Sequence, residues 1–190
     1  MKSIEIVGFK RANLGKTTAK AARENSNVPC VLYGGKEQHH FEVPMSLFKD
    51  LVYTPKAHLV DLNIEGTKFS AMLQDVQFHP VSEMLMHADF MQIFEDKEVK
   101  MDVPVKLVGT PEGVSKGGKL VQKLRKLKIK ALPKDLPDFI ELDVTALDLG
   151  KTYKVSQIKP ANFVILNVLS VPVVTIDIPR ALKGKQAEAS

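Results

Sequence analysis

Two sets of side chains in this 190-residue chain have types and spacings that suit recognition of a nucleic acid. The first is Arg11, Lys16, Lys20 and Arg23, a cationic cluster near the N-terminus. Lys20 and Arg23 are three apart, so on a helix both face one side. Lys16 falls near the start of that helix, where unpaired N–H groups already favour phosphate. Tyr33, followed by Gly34-Gly35, sets a ring beside bare backbone, a geometry that admits a ribose or base closely. The second set is Gln74, Gln77, His79, His87 and Asp89, which offer donors and acceptors for base edges and 2′-hydroxyls. Asp89 is a poor choice against phosphate, but it can accept from a guanine or cytosine amino group or orient a neighbouring Arg or His.

Other chemistries fail on spacing. Gly113-Val-Ser-Lys-Gly-Gly118-Lys119 satisfies the GxxxxGK spacing of a phosphate-binding loop. Leu120 follows where Ser or Thr must hold Mg²⁺, and no helix is expected to follow. Gly15-Lys16-Thr17 imitates the end of such a loop, but position 10 is Lys where the first Gly is required. His39, His40, His58, His79 and His87 match no zinc pattern, and Cys30 has no second cysteine to pair with, so no metal and no cofactor are expected. No Ser stands in a G-x-S-x-G turn, and the chain is expected to be no enzyme.

The charge distribution supports the nucleic-acid reading. Residues 1–36 hold seven Lys/Arg against two acids, whereas residues 37–95 hold three against nine. A basic edge on an acidic body meets a polyanion in one orientation, because the remainder repels phosphate. Residues 1–95 carry ten basic and eleven acidic side chains, a net of −1, so charge alone cannot supply recognition there. Residues 96–190 carry seventeen against eleven, a net of +6. Within them, Lys116 to Lys134 holds eight Lys/Arg and no acid. There Lys126, Lys128 and Lys130 alternate with Leu127, Ile129 and Ala131, which predicts a strand with one apolar and one cationic face. A secondary RNA contact is expected at these lysines; the competing reading is a solvated edge strand kept from aggregating by its charges.

The elements that position these groups are read from periodicity. Alternation predicts a first strand through Ile4 and Ile6, and TTAKAARE (17–24) predicts a two-turn helix with a Thr cap. Strands follow at Cys30–Tyr33 and Phe41–Val43, then a short helix from Leu47 to Val52 capped by Ser46. His58–Ile64 and Lys68–Gln77 form a hairpin about Gly66-Thr67, and Met84–Ile93 is a further strand. The charged run Glu95-Asp-Lys-Glu98 marks a boundary, giving domains 1–95 and 96–182 and a tail, 183–190. After it, short strands are predicted at Val99–Val108, Leu120–Leu132, Phe139–Val144 and Val164–Ile178, an all-β second domain. One cysteine fits a reducing compartment, the N-terminus shows no signal-peptide core, and no apolar run of about 18 residues occurs. A soluble, cytoplasmic protein without membrane contact is expected.

These residues also resemble a known family. Arg11 with Gly15-Lys16 and Arg23, Val28-Pro-Cys-Val-Leu-Tyr-Gly-Gly35, Asp75-Val-Gln-Phe-His-Pro80 and His87-Ala-Asp-Phe90 resemble the bacterial large-subunit ribosomal protein L twenty-five family, in its longer Ctc (general stress protein) form. Val108-Gly-Thr-Pro-Glu-Gly-Val114, Asp138-Phe-Ile-Glu-Leu-Asp-Val144 and Leu147-Asp-Leu-Gly150 extend the resemblance through the second half. The resemblance implies a mainly β fold with short helices: an N-terminal β-barrel related to the anticodon-binding domain of glutaminyl-tRNA synthetase, then a mostly β C-terminal domain. It implies a structural component of the large ribosomal subunit, ribosome-associated and monomeric within the particle, with neighbouring rRNA and proteins around it. It implies 5S rRNA as partner, bound by Arg11, Lys16, Lys20, Arg23, Tyr33, Gln77, His79, His87 and Asp89. Lys20 stands where many relatives carry Arg. A tRNA-interacting factor would share the barrel and the basic cluster.

Overall fold

In the computed structural model, residues 3–54, 57–160 and 162–179 are described; the predicted tail, 183–190, lies outside them. The chain divides into two compact units, one reaching Val99 and including Leu132–Lys134, the other holding Lys100–Ala131 and the residues from Asp135 onward. Among the described residues no helix is long and apolar enough to cross a membrane.

The first unit is built from β1 (Ser3–Lys10), α1 (Lys16–Glu24), β2 (Asn27–Tyr33), β3 (His39–Pro44), α2 (Lys49–Val52), β4 (Leu59–Ile64), β5 (Thr67–Phe78) and β6 (Leu85–Gln92). The strands close into a barrel in the order β1-β3-β2-β6-β5-β4. Closure uses two parallel pairings, β1 with β4 and β2 with β6, between antiparallel ones. Period-two alternation turns Ile6, Val28, Cys30, Leu32, Phe41, Val43, Val60, Leu62, Ala71, Ala88 and Phe90 inward, all buried. Phe90 lies at the centre, its ring 5.8 Å from that of Phe41 and 6.2 Å from that of Phe48.

Both expected helix caps are replaced. Gly15 precedes α1 without a side-chain cap, and Thr18 Oγ1 instead donates back to the carbonyls of Asn13 and Gly15. The segment before α2 is a 3₁₀ turn, Met45–Phe48, which begins after Pro44. There Ser46 makes no cap, and Leu47 is exposed while Phe48 and Leu51 are buried.

A one-residue irregularity in β5 decides what its outer face shows. Phe69, Ala71 and Leu73 point to the core, yet so does Val76, three positions after Leu73. Gln74 therefore occupies a bulge between the register partners Leu73↔Phe90 and Asp75↔Asp89. Without it Asp75 would point inward; with it, Asp75 and Gln77 face out beside β6.

The second unit continues with β7 (Val99–Val108), α3 (Glu112–Ser115), β8 (Lys119–Gln122), β9 (Lys126–Ala131), β10 (Ile140–Asp143), β11 (Thr152–Lys154), β12 (Val164–Ile165) and β13 (Pro172–Asp177). They form a four-stranded sheet, β10-β7-β9-β12, and a three-stranded one, β11-β13-β8. The single strand expected over Leu120–Leu132 is two strands in different sheets. The amides of Lys123 and Leu124 both donate to Val173 O, which ends the β8 ladder and lets the chain turn. Val164–Ile178 divides likewise into β12 and β13.

The GxxxxGK string is explained by packing. It runs through α3, one helical turn, into β8, so no helix follows it. A Cβ on Gly113 would lie 2.7 Å from the backbone carbon of Asp148 and the nitrogen of Leu149. One on Gly118 would lie 2.6 Å from Gly113 O. Both glycines are there because backbone passes against backbone. Gly113→Ala should lower the stability of the second unit by about 1–3 kcal/mol. A thermal melt of the full chain checks this, and a wild-type curve would contradict the packing account.

Candidate nucleic-acid interface

Helix α1 is fastened to the barrel at both ends by arginines. Arg11 continues β1: its N–H donates to His40 O at 3.0 Å, and its Nη2 donates to Thr18 Oγ1 at 3.1 Å. This ties the first turn of α1 to the strand. At the other end Arg23 Nε donates to Met86 O at 3.0 Å. Met86 is available because the β5–β6 register jumps from Gln77↔His87 to Phe78↔Leu85, so it has no partner across the ladder. Both arginines, expected from sequence as phosphate contacts, thus also position the helix. Each uses one side of a guanidinium and keeps further N–H donors.

Lys16 and Lys20 are exposed on α1. Lys20 Nζ lies 3.8 Å from Glu24 Oε1, with the two side chains 78% and 67% exposed. Such a pair contributes little in water and yields readily to a phosphate.

The polar residues gather on the outer face of β2, β6 and β5. The parallel register β2–β6 sets Val31 beside Asp89 and Tyr33 beside Met91. The antiparallel register β5–β6 sets Gln77 opposite His87 and Asp75 opposite Asp89. Tyr33, Gln77, His87 and Asp89 therefore share one surface, reached from separate stretches of sequence. β2 ends at Tyr33, and the next residue, Gly34, has a φ of +94°, which suits glycine.

His87 is held from both sides. Its Nδ1 lies 2.5 Å from Pro29 O, a group that can only accept, so this nitrogen carries a proton. Its Nε2 lies 3.0 Å from Asp89 Oδ1, close but not aligned as a hydrogen bond. Asp89 Oδ1 is consequently buried with no hydrogen-bond donor, although the side chain as a whole is 30% exposed. An acceptor left this way costs stability.

Asp75 is the functional candidate that sequence reasoning passed over. It stands across the ladder from Asp89, a like-charge pair that strand pairing disfavours. Burial first, then the carboxylates of Asp89 and Asp75, push the Tyr33 phenol above its ordinary range, which keeps its proton in place as a donor. The centre of the face is acidic and its flank, α1, is basic.

Two residues expected to contact RNA also shape the backbone. His79 Nδ1 accepts from the N–H groups of Val81 and Ser82, at 3.3 and 3.1 Å, while the backbone N–H of His79 donates to Met84 O. It shapes the turn between β5 and β6, and in the neutral ring only Nε2 carries a proton. Gln74, expected to serve base edges, sits in the bulge. Cys30 faces the core, where burial and then Asp89 raise its thiol far above the usual range against the opposing pull of Arg11, so it is no nucleophile. Among the described residues no group of three or more His, Cys, Asp or Glu side chains could hold a metal ion.

By comparison with known proteins the chain is a ribosomal protein. Residues 6–90 match the Ribosomal L25p family, and residues 98–180 match the Ribosomal protein TL5, C-terminal domain. The chain is 55% identical to the large ribosomal subunit protein bL25 of Cytophaga hutchinsonii over 190 residues, covering all of this chain and 99% of that one. It is 54% identical to that of Amoebophilus asiaticus, covering 100% and 96%, and 45% identical to that of Phocaeicola vulgatus, covering 100% and 99%. The chain belongs to the bL25 family of large ribosomal subunit proteins, in the longer form that carries both domains. It is a structural component of the ribosome, not an enzyme.

Proposed function

We propose that the first domain, residues 1–95, binds 5S rRNA through the outer face of β2, β6 and β5 together with α1. The observation that carries this reading is Asp89, a carboxylate 30% exposed at the centre of a polar face, with cations confined to its flank. Phosphate is repelled by the Asp75–Asp89 pair and drawn to Lys16, Lys20, Arg11 and Arg23, so the ribose-phosphate backbones run beside the acidic centre. RNA groups that reach the centre must be donors, such as base amino groups and 2′-hydroxyls, and Asp89 accepts from them. Tyr33, Gln77 and His87 supply the complementary donors and acceptors, and the turn held by His79 borders them.

The proposed target is an irregular, widened minor groove, where side chains meet base edges and 2′-hydroxyls, since the major groove of regular A-form RNA is too deep and narrow to be read. This separates the proposed partner from an ordinary duplex. Amide chemical-shift mapping of the full chain with 5S rRNA tests the placement. Shifts should concentrate on α1 and the outward residues of β2, β5 and β6; shifts confined to β1 and β4 would overturn it.

A further inference from the structure

We propose a second RNA-binding surface, on the second unit, in which Lys126 and Lys128 on β9 grip the ribose-phosphate backbone of RNA. The strand was open to a simpler explanation, that its lysines guard an exposed edge. From Lys128 to Lys130 the sheet order removes it, because there β9 lies between β7 and β12, which pairs with Ile129 and Lys130. Lys128 has both backbone groups occupied, its N–H donating to Asn167 Oδ1 at 2.7 Å and its carbonyl accepting from Leu166 N–H at 2.8 Å. A strand so paired needs no cations against edge-to-edge association.

The exposed face of this sheet has a charge gradient. On β10, the outward residues are Glu141 and Asp143; on β7 they are Lys100, Asp102 and Lys106; on β9 they are Lys126, Lys128 and, partly buried, Lys130. The acids at the β10 side are engaged, since Glu141 lies 3.8 Å from Lys106 Nζ and Asp143 accepts from Thr145. Lys126 and Lys128 are exposed, and among the described residues neither has an acid within 4 Å. Alternate residues of a strand lie about 6.7 Å apart on one face, so the two ammonium groups form a row. A row of unpaired cations with acids on its far side fits a polyanionic strand running along β9. In a chain of the large ribosomal subunit, RNA is the polyanion at hand.

The test uses the full chain and a 20-base-pair RNA duplex unrelated to 5S rRNA, so its outcome does not rest on the barrel's site. Binding is measured across a salt series. Lys126→Gln/Lys128→Gln should flatten the slope of log K against log[salt] by about 1.5, from about 0.7–0.9 per lost phosphate contact. Lys126→Arg/Lys128→Arg, which keeps the charges, should retain the wild-type slope. Lys154→Gln/Lys159→Gln, an equal charge loss that removes Lys154 from the other sheet, should also retain it. A wild-type slope for the first variant, or an equal flattening by the control, overturns the proposal. Poly-glutamate binding that matches the RNA and falls equally in the first variant also overturns it, assigning the row to an acidic protein.

Discussion

Phe90→Ala should destabilise the barrel by about 3–5 kcal/mol, a large part of the stability expected for a domain of this size. Phe90 is fully buried on β6 and fills the space between Phe41 on β3 and Phe48 at the end of the 3₁₀ turn. Phe41 and Phe90 stand on strands that the closed order separates by β2, so neither neighbouring ring can move to fill the cavity alone. The loss also reaches the surface: Asp89 and His87 share β6 with Phe90, and their outward direction depends on Phe90 and Ala88 being held inward. Chemical denaturation monitored on a barrel-specific signal measures the effect. A change below about 1 kcal/mol would mean that the ring is not packed as described.

Asp89→Ala should weaken 5S rRNA binding by about 1–3 kcal/mol while leaving the barrel as stable as before, or slightly more so. The stability follows from removal of the Asp75–Asp89 repulsion and of an unsatisfied buried acceptor. Binding falls because donors on the RNA lose their acceptor. Since Asp89 faces no phosphate in this account, the salt slope should stay at its wild-type value. Lys16→Gln should do the opposite, flattening the slope by about 0.7–0.9. Binding titrations of both variants over a salt series separate the two roles. A steeper loss of binding at high salt for Asp89→Ala, or tighter binding, would remove Asp89 from the recognition group.

The parts of this site that were legible in the sequence are those whose signal is local. Lys16, Lys20 and Arg23 announce a basic helix by spacing alone, and α1 lies where TTAKAARE placed it. Tyr33 beside Gly34-Gly35 likewise marks a strand end. What was not legible depends on partners far along the chain. The parallel pairing of β2 with β6 brings Val31 beside Asp89, a contact across 58 residues that no periodicity encodes. The bulge at Gln74 reverses the facing of Asp75, and continuous alternation hid it. His79 has the chemistry of a base reader, yet its Nδ1 serves two backbone amides, groups without sequence identity. In the second unit, the apolar–cationic alternation of Lys126–Ala131 was legible, but its interior place in the sheet was not. The fold was thus readable as strands and turns, while strand order, and hence the composition of each face, was set by long-range pairing.

In the proposed function the first domain recognises 5S rRNA by groove shape and by the donors that RNA presents to Asp89, with charge serving only to attract it. The direct measurement is the affinity of the full chain, at one fixed salt concentration, for 5S rRNA, tRNA and an unrelated RNA duplex. 5S rRNA should bind at least about tenfold more tightly than either competitor, a difference of about 1.4 kcal/mol or more. Equal affinities for all three would show that charge alone holds the RNA, and would contradict the proposed function.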